Sequence, residues 1–161
     1  CYIIAEMSAN HCGNIDTALA IIQSAKECGA NAVKLQTYRA DTITLDSDKK
    51  DFLLPSDNPW ETHKTLYTLY EKAFTPWEWH EQLMQEGEKI GLDVFSSPFD
   101  CSAVDFLEEL NVPAYKIASP EITDIPMIKK IGACKNGMNH MRNAKFVKNS
   151  CCCCQHTEIR S

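Results

Sequence analysis

Two lysines stand in the middle of short apolar runs, Lys34 in AVKLQTY (32–38) and Lys116 in YKIASPE (115–121). An ammonium group in an otherwise apolar strand is expensive to bury unless an anion meets it. Each lysine has useful neighbours: Gln36 lies two residues beyond Lys34, and Ser119 and Glu121 follow Lys116. Two further runs, IIAEMSANH (3–11) and VFSSPFD (94–100), carry Glu6 and Ser97 in the same way. A structural ion pair with Glu6 or Glu121 would account for either lysine singly. Both lysines together, beside hydroxyls and carboxylates, point to a small anionic ligand held by fixed positive charge.

Strand parity sharpens this, because side chains alternate faces with a period of two. Lys34 and Gln36 share one side of their run, with Val33 and Leu35 on the other; Lys116 and Ala118 oppose Tyr115 and Ile117. Apolar runs of four to six residues separated by amphipathic segments predict a parallel β/α fold, with the chemistry at the carboxyl ends of the strands. The spacing predicts helices over 18–29, stopped by Gly29, and over 66–73. It predicts a third from Thr75 as cap and Pro76 as first residue to Ile90, and a fourth capped by Asp100 or Ser102 and reaching Leu110. The third strand is predicted at 92–97, the fourth begins after Pro113, and a last helical turn spans 125–131. Residues 39–63 form a long insertion, read with Tyr38 as a lid or as disorder. Tyr67, Tyr70, Trp77 and Trp79 recur at helical spacing and are read as packing, His11 as structural, and Ser97 and Ser119 equally as helix caps or as ligand groups.

The formal charge of −6 hides a division: residues 1–131 carry 11 Lys/Arg against 21 Asp/Glu (−10), and 132–161 carry 5 against 1 (+4). The acidic body argues against a nucleic-acid partner. No run of about 18 apolar residues and no signal peptide is present, so the chain is read as cytoplasmic, without membrane attachment. At 161 residues it holds about four β/α units, half of a barrel that takes roughly 250. It begins at Cys1, close to a strand, which predicts further material upstream. After Gly132 the pattern fails, and five of the nine cysteines fall in that tail, four of them adjacent at 151–154, without metal-site spacing. The body is therefore assigned to 1–131, and 132–161 is read as an aberrant Cys-rich tail, not a folded domain, either a genuine tail or the product of a frameshift or splice artefact.

In order and spacing, AEMSANHCGN (5–14), GANAVKLQTY (29–38), LYEKAFTPWEWHEQL (69–83), FSSPFD (95–100) and NVPAYKIASPEITD (111–124) resemble the sialic acid synthase family. The stretch LQTYRADTITLDSDKKDFLL (35–54) is most similar to its pseudaminic acid synthase branch. The resemblance implies an α/β protein of the TIM (β/α)8 barrel type, here about its first four β/α units. It also implies a condensation in which the enol carbon of phosphoenolpyruvate attacks the open-chain aldehyde of an acetamido sugar, giving a nonulosonic acid and phosphate. By the resemblance, Lys34 and Lys116 bind phosphoenolpyruvate, Ser97 and Ser119 contact phosphate, and Gln36 is a polar ligand group. Glu6, Glu121 and Lys116 are the catalytic candidates, the two carboxylates lying near the sugar.

The family uses a divalent metal, manganese or magnesium, as Lewis acid and water activator. It works as a homodimer with a shared site. Its metal-binding histidines come from strands after the fourth, so no metal ligand carries over to this chain and the chain alone is expected to be inactive. Departures include Ser97, where the family more often has Thr. Three alternatives stay open: another phosphoenolpyruvate-condensing barrel synthase, a non-catalytic anion-binding fragment, and a nonfunctional truncated product.

Overall fold

The structure, a computed structural model, describes residues 1–54 and 64–134, together with the backbone alone of 147–149 and 156–158. Its centre is a parallel sheet of β1 (Ile4–Glu6), β2 (Ala32–Thr37) and β3 (Asp93–Pro98) in the order β1-β2-β3. Helix α1 (Ile15–Glu27) links the first two strands. Between β2 and β3 lie α2 (Ala40–Ile43), a 3-10 turn at Lys50–Phe52, α3 (Leu66–Ala73), a 3-10 turn at Trp77–Trp79 and α4 (His80–Ile90). Helices α5 (Cys101–Glu109) and α6 (Ile125–Ala133) follow, with a 3-10 turn at Pro120–Thr123 between them.

Local chemistry accounts for these boundaries. Asn14 caps α1 by accepting from the amides of Asp16 and Thr17, and Asp100 caps α5 by accepting from Ser102 and Ala103. Gly91 ends α4 with φ of 67°, in the left-handed region that favours glycine. Thr75 is not the cap that the spacing predicts: a 3-10 turn precedes α4, and the buried Thr75 hydroxyl is instead 3.3 Å from Nε2 of His11.

The predicted fourth strand shrinks to a single parallel bridge between Ser96 and Tyr115, supported by the Lys116 amide donating to the Ser96 carbonyl at 3.1 Å. Pro113 and Pro120 bracket the segment and remove donors on either side of it. The tail, expected to lack strands, has a short antiparallel pair, β4 (Val147–Asn149) with β5 (His156–Glu158). Three-residue strands are too short for a period-two pattern to announce. The rest of the tail, including Cys151–Cys154, and the part of the insertion containing Trp60 lie outside the described residues.

One apolar layer covers one face of the sheet, and a second cluster lies between two of the helices. Val33, Leu35 and Val94 pack with Met7, Ile22 and Leu83 from the β1 loop, α1 and α4. Val104, Met127 and Ile131 form a second cluster between α5 and α6, against which Tyr115 and Ile117 pack. Of the aromatic residues predicted to pack, Trp77 stacks on Phe106 at 4.7 Å between ring centroids, Trp79 meets His11 edge-on and Tyr70 meets Tyr38 edge-on; Tyr38, read with the lid, is instead buried against Tyr70 and Phe99.

Helix α4 approaches β3 closely at Gly87. A Cβ there would lie 2.4 Å from the Val94 side chain and 2.7 Å from the Leu92 carbonyl oxygen, and the second of these cannot move without the backbone. Gly87→Ala is therefore expected to lower stability by about 1–3 kcal/mol, despite alanine's better helix propensity. Urea unfolding midpoints check this; an unchanged or higher midpoint would show that the two elements separate easily.

Candidate functional site

The sheet register builds the site. Glu6 pairs with Lys34 across β1 and β2, and Gln36 pairs with Ser97 across β2 and β3. Side chains of register partners in a parallel sheet emerge on the same face, so these four share the face opposite Val33, Leu35 and Val94. Lys34 Nζ lies 3.1 Å from Glu6 Oε2, with the lysine side chain 4% exposed and the glutamate 45%. The pair is thus asymmetric: a desolvated ammonium leans on a carboxylate that is still partly in water.

Burial lowers the Lys34 pKa most strongly, Glu6 opposes that, and the positive charge of Lys116 lowers it further. The coupling brings the two lysines of non-adjacent segments into electrostatic reach of each other. Among the described residues Lys116 forms no ion pair of its own. Two like charges held this way repel, and an anion between them would relieve the repulsion.

Ser97 is 1% exposed, and its hydroxyl has no hydrogen-bond partner among the described residues. It is not a helix cap, because Asp100 fills that role for α5. A buried hydroxyl without a partner is uncommon and calls for an acceptor or donor from elsewhere. Oε2 of Glu121 is likewise buried without a partner. Burial raises the Glu121 pKa, with Lys116 pulling it down and Asp124 pushing it up. Ser119 is exposed at the N-terminal end of the 3-10 turn, and its side chain does not cap that turn.

The sequence reading missed Ser8. Its hydroxyl donates to Oε1 of Gln36 at 3.4 Å, and its backbone adopts φ of 49°, a left-handed conformation that is strained for a residue with a Cβ. The SANHCGN string (8–14), rich in turn-forming residues, was the available signal.

No three His, Cys, Asp or Glu side chains among the described residues gather as a metal-ligand set. The two buried histidines also have both nitrogens occupied. His11 Nδ1 accepts from the Gly13 amide at 3.1 Å while Nε2 faces Thr75, and in His80 both ring nitrogens are hydrogen-bonded. The described residues therefore do not fit the divalent ion implied by the resemblance.

The NeuB family model matches residues 21–142. The chain is 47% identical over 130 residues to the pseudaminic acid synthase of Campylobacter jejuni, covering 81% of this chain and 37% of that protein. It is 35% identical over 129 residues to the N,N'-diacetyllegionaminic acid synthase of Legionella pneumophila, covering 80% of this chain and 36% of that protein. Among solved structures it is similar to an N-acetylneuraminic acid synthetase from Leptospira borgpetersenii in complex with citrate, with TM-score 0.63, 28% identity, and coverage of 80% of this chain and 40% of the other. The chain thus spans about 37% of the length of the Campylobacter relative. By the extent of the family match and the agreement of fold and sequence, the chain belongs to the NeuB family.

Proposed function

We propose that this chain carries the phosphoenolpyruvate-binding part of a nonulosonic acid synthase of the pseudaminic branch. Lys34 and Lys116 hold the phosphate and carboxylate, Ser97 and Ser119 donate to phosphate oxygens, and Gln36, steadied by Ser8, orients the ligand. The enol carbon forms a C–C bond to the sugar aldehyde carbon, whose oxygen takes up a proton. Water then adds to the resulting cationic carbon, and the phosphate leaves with the C–O electron pair as the keto group forms. Glu6 and Glu121 steady the cationic centre or take the water's proton. The described residues supply no ligand set for the divalent metal.

On this reading β1, β2, β3 and the segment at 115–118 are staves of a (β/α)8 barrel, with the sheet face carrying Lys34 turned inward. The barrel part is placed at 1–131 by the sequence pattern, with α6 running on to Ala133 and the family match to 142. The complete synthase is a cytoplasmic homodimer. The pseudaminic branch is favoured by identity, 47% against 35% for the legionaminic relative.

The observation that carries the proposal is the buried Lys34 under the field of Lys116, beside the partnerless hydroxyl of Ser97. Calorimetric titration of the full chain with phosphoenolpyruvate tests it. We expect 1:1 binding, weakened about tenfold or more in Lys116→Met and several-fold in Ser97→Ala. Wild-type affinity in Lys116→Met would sink the assignment, and no heat at millimolar ligand would sink the binding function itself.

A further inference from the structure

Behind the ligand face, on the helix side of the sheet, three fully buried polar side chains form a directed chain through an otherwise apolar layer. The Pro76 carbonyl can only accept, so His80 Nδ1, 3.2 Å away, carries the ring proton. Burial pushes the His80 pKa down to about 4, so the ring is neutral and Nε2 is an acceptor. The Thr37 hydroxyl, 2.8 Å from Nε2, donates to it, and Thr37 Oγ1 accepts in turn from Ser96 Oγ at 2.6 Å. Each group has one role, and none is wasted. The ring is wedged edge-on against Phe106, which Trp77 stacks upon.

An apolar trio of similar shape would fill the same space without desolvating a hydroxyl pair and an imidazole. What the polar chain adds is direction. Thr37 follows Gln36 and Ser96 precedes Ser97, and those two ligand-face residues are register partners. The same two chain members hold their neighbours through the backbone: the Ser96 carbonyl accepts from the Lys116 amide at 3.1 Å, and the Thr37 carbonyl accepts from the Phe99 amide at 3.3 Å. Three strand ends are thereby tied together from behind.

We infer that His80, acting through Thr37 and Ser96, is a positioning residue that fixes the peptide units presenting Gln36, Ser97 and Lys116 to the anion. This rests on the reading of that face as the phosphoenolpyruvate site. His80 touches no ligand; it sets the torsion of the Thr37 hydroxyl, which locks the diagonal contact between β2 and β3.

The test compares the full chain with Thr37→Val, Thr37→Ser, His80→Phe and Ser96→Ala, using phosphoenolpyruvate calorimetry and amide hydrogen exchange. Thr37→Val and His80→Phe should raise the phosphoenolpyruvate Kd about tenfold, with Thr37→Ser within twofold of the parent. Exchange at the Lys116 and Phe99 amides should quicken about tenfold in the same two variants, with the Ile22 amide of α1 unchanged. Equal acceleration at Ile22 would mean a merely structural role and overturn the inference, as would parental affinity in Thr37→Val. If the parent binds no phosphoenolpyruvate, the functional reading fails, and the exchange pattern alone decides the positioning role. Should Thr37→Val and His80→Phe not fold, Ser96→Ala removes only the terminal donor and is read at the same amides, where parental exchange overturns the inference.

Discussion

Lys34→Met is expected to weaken phosphoenolpyruvate binding about 100-fold while leaving the unfolding free energy within about 1 kcal/mol of the parent. The dissociation follows from the asymmetry of the ion pair. Lys34 is the desolvated member, and methionine matches its length and flexibility, so the core side of the exchange is favourable. Glu6 is 45% exposed, so its carboxylate stays solvated when the ammonium is removed. The reverse deletion behaves differently. Glu6→Gln leaves a 4% exposed ammonium facing Lys116 with its counter-charge gone, and roughly 1–3 kcal/mol of stability should go with it, discounted because Glu6 was partly screened. Phosphoenolpyruvate should restore part of that loss by supplying the missing negative charge. Paired calorimetry and urea unfolding check both variants; a Lys34→Met protein that binds normally, or collapses as Glu6→Gln does, would make Lys34 a structural residue.

Mild acid should destabilise the protein through its buried histidines. The unfolded chain protonates His80 near the ordinary value of 6.5, but the folded chain resists until about 4. Between those values the unfolded state holds more protons, so stability falls as pH falls. Each unit is worth about 1.4 kcal/mol, which makes the His80 contribution roughly 3 kcal/mol, fully present above pH 6.5 and lost by about pH 4. His11, whose pKa burial also lowers, acts in the same direction. Glu121 acts against it, since burial raises its pKa and protonation relieves its desolvation. Urea midpoints between pH 7.5 and 4.5 should drop steadily, and His80→Phe should flatten the upper part of the curve. A midpoint that stays constant from pH 7 to 5, or an NMR titration placing His80 near 6.5, would refute this.

Much of the site was legible in the chain because strand parity is rigid. Once AVKLQTY is a strand, Lys34 and Gln36 must share a face, and the register then adds Glu6 and Ser97. Asp100, one of the two candidate caps of α5, followed from an equally local rule. The motif strings carried the family, which the match over residues 21–142 bears out.

Other features depend on distances between segments far apart in sequence, and no spacing rule reports those. Thr75 read as a helix cap because serine and threonine before proline usually serve that way, yet the approach of His11 claimed its hydroxyl. Ser119 carried a motif position but stands exposed, while Ser97, indistinguishable from it in sequence, lies buried without a partner. The hydroxyl chain from Ser96 to His80 joins residues 43 and 59 positions apart in sequence, and only packing of α4 on the sheet brings them within hydrogen-bond reach. Sequence alone determined which residues share a face, since alternation is built into the strand backbone. The tertiary structure decided which of them are desolvated, because burial is a property of the layers that cover a residue and not of the residue's neighbours in the chain.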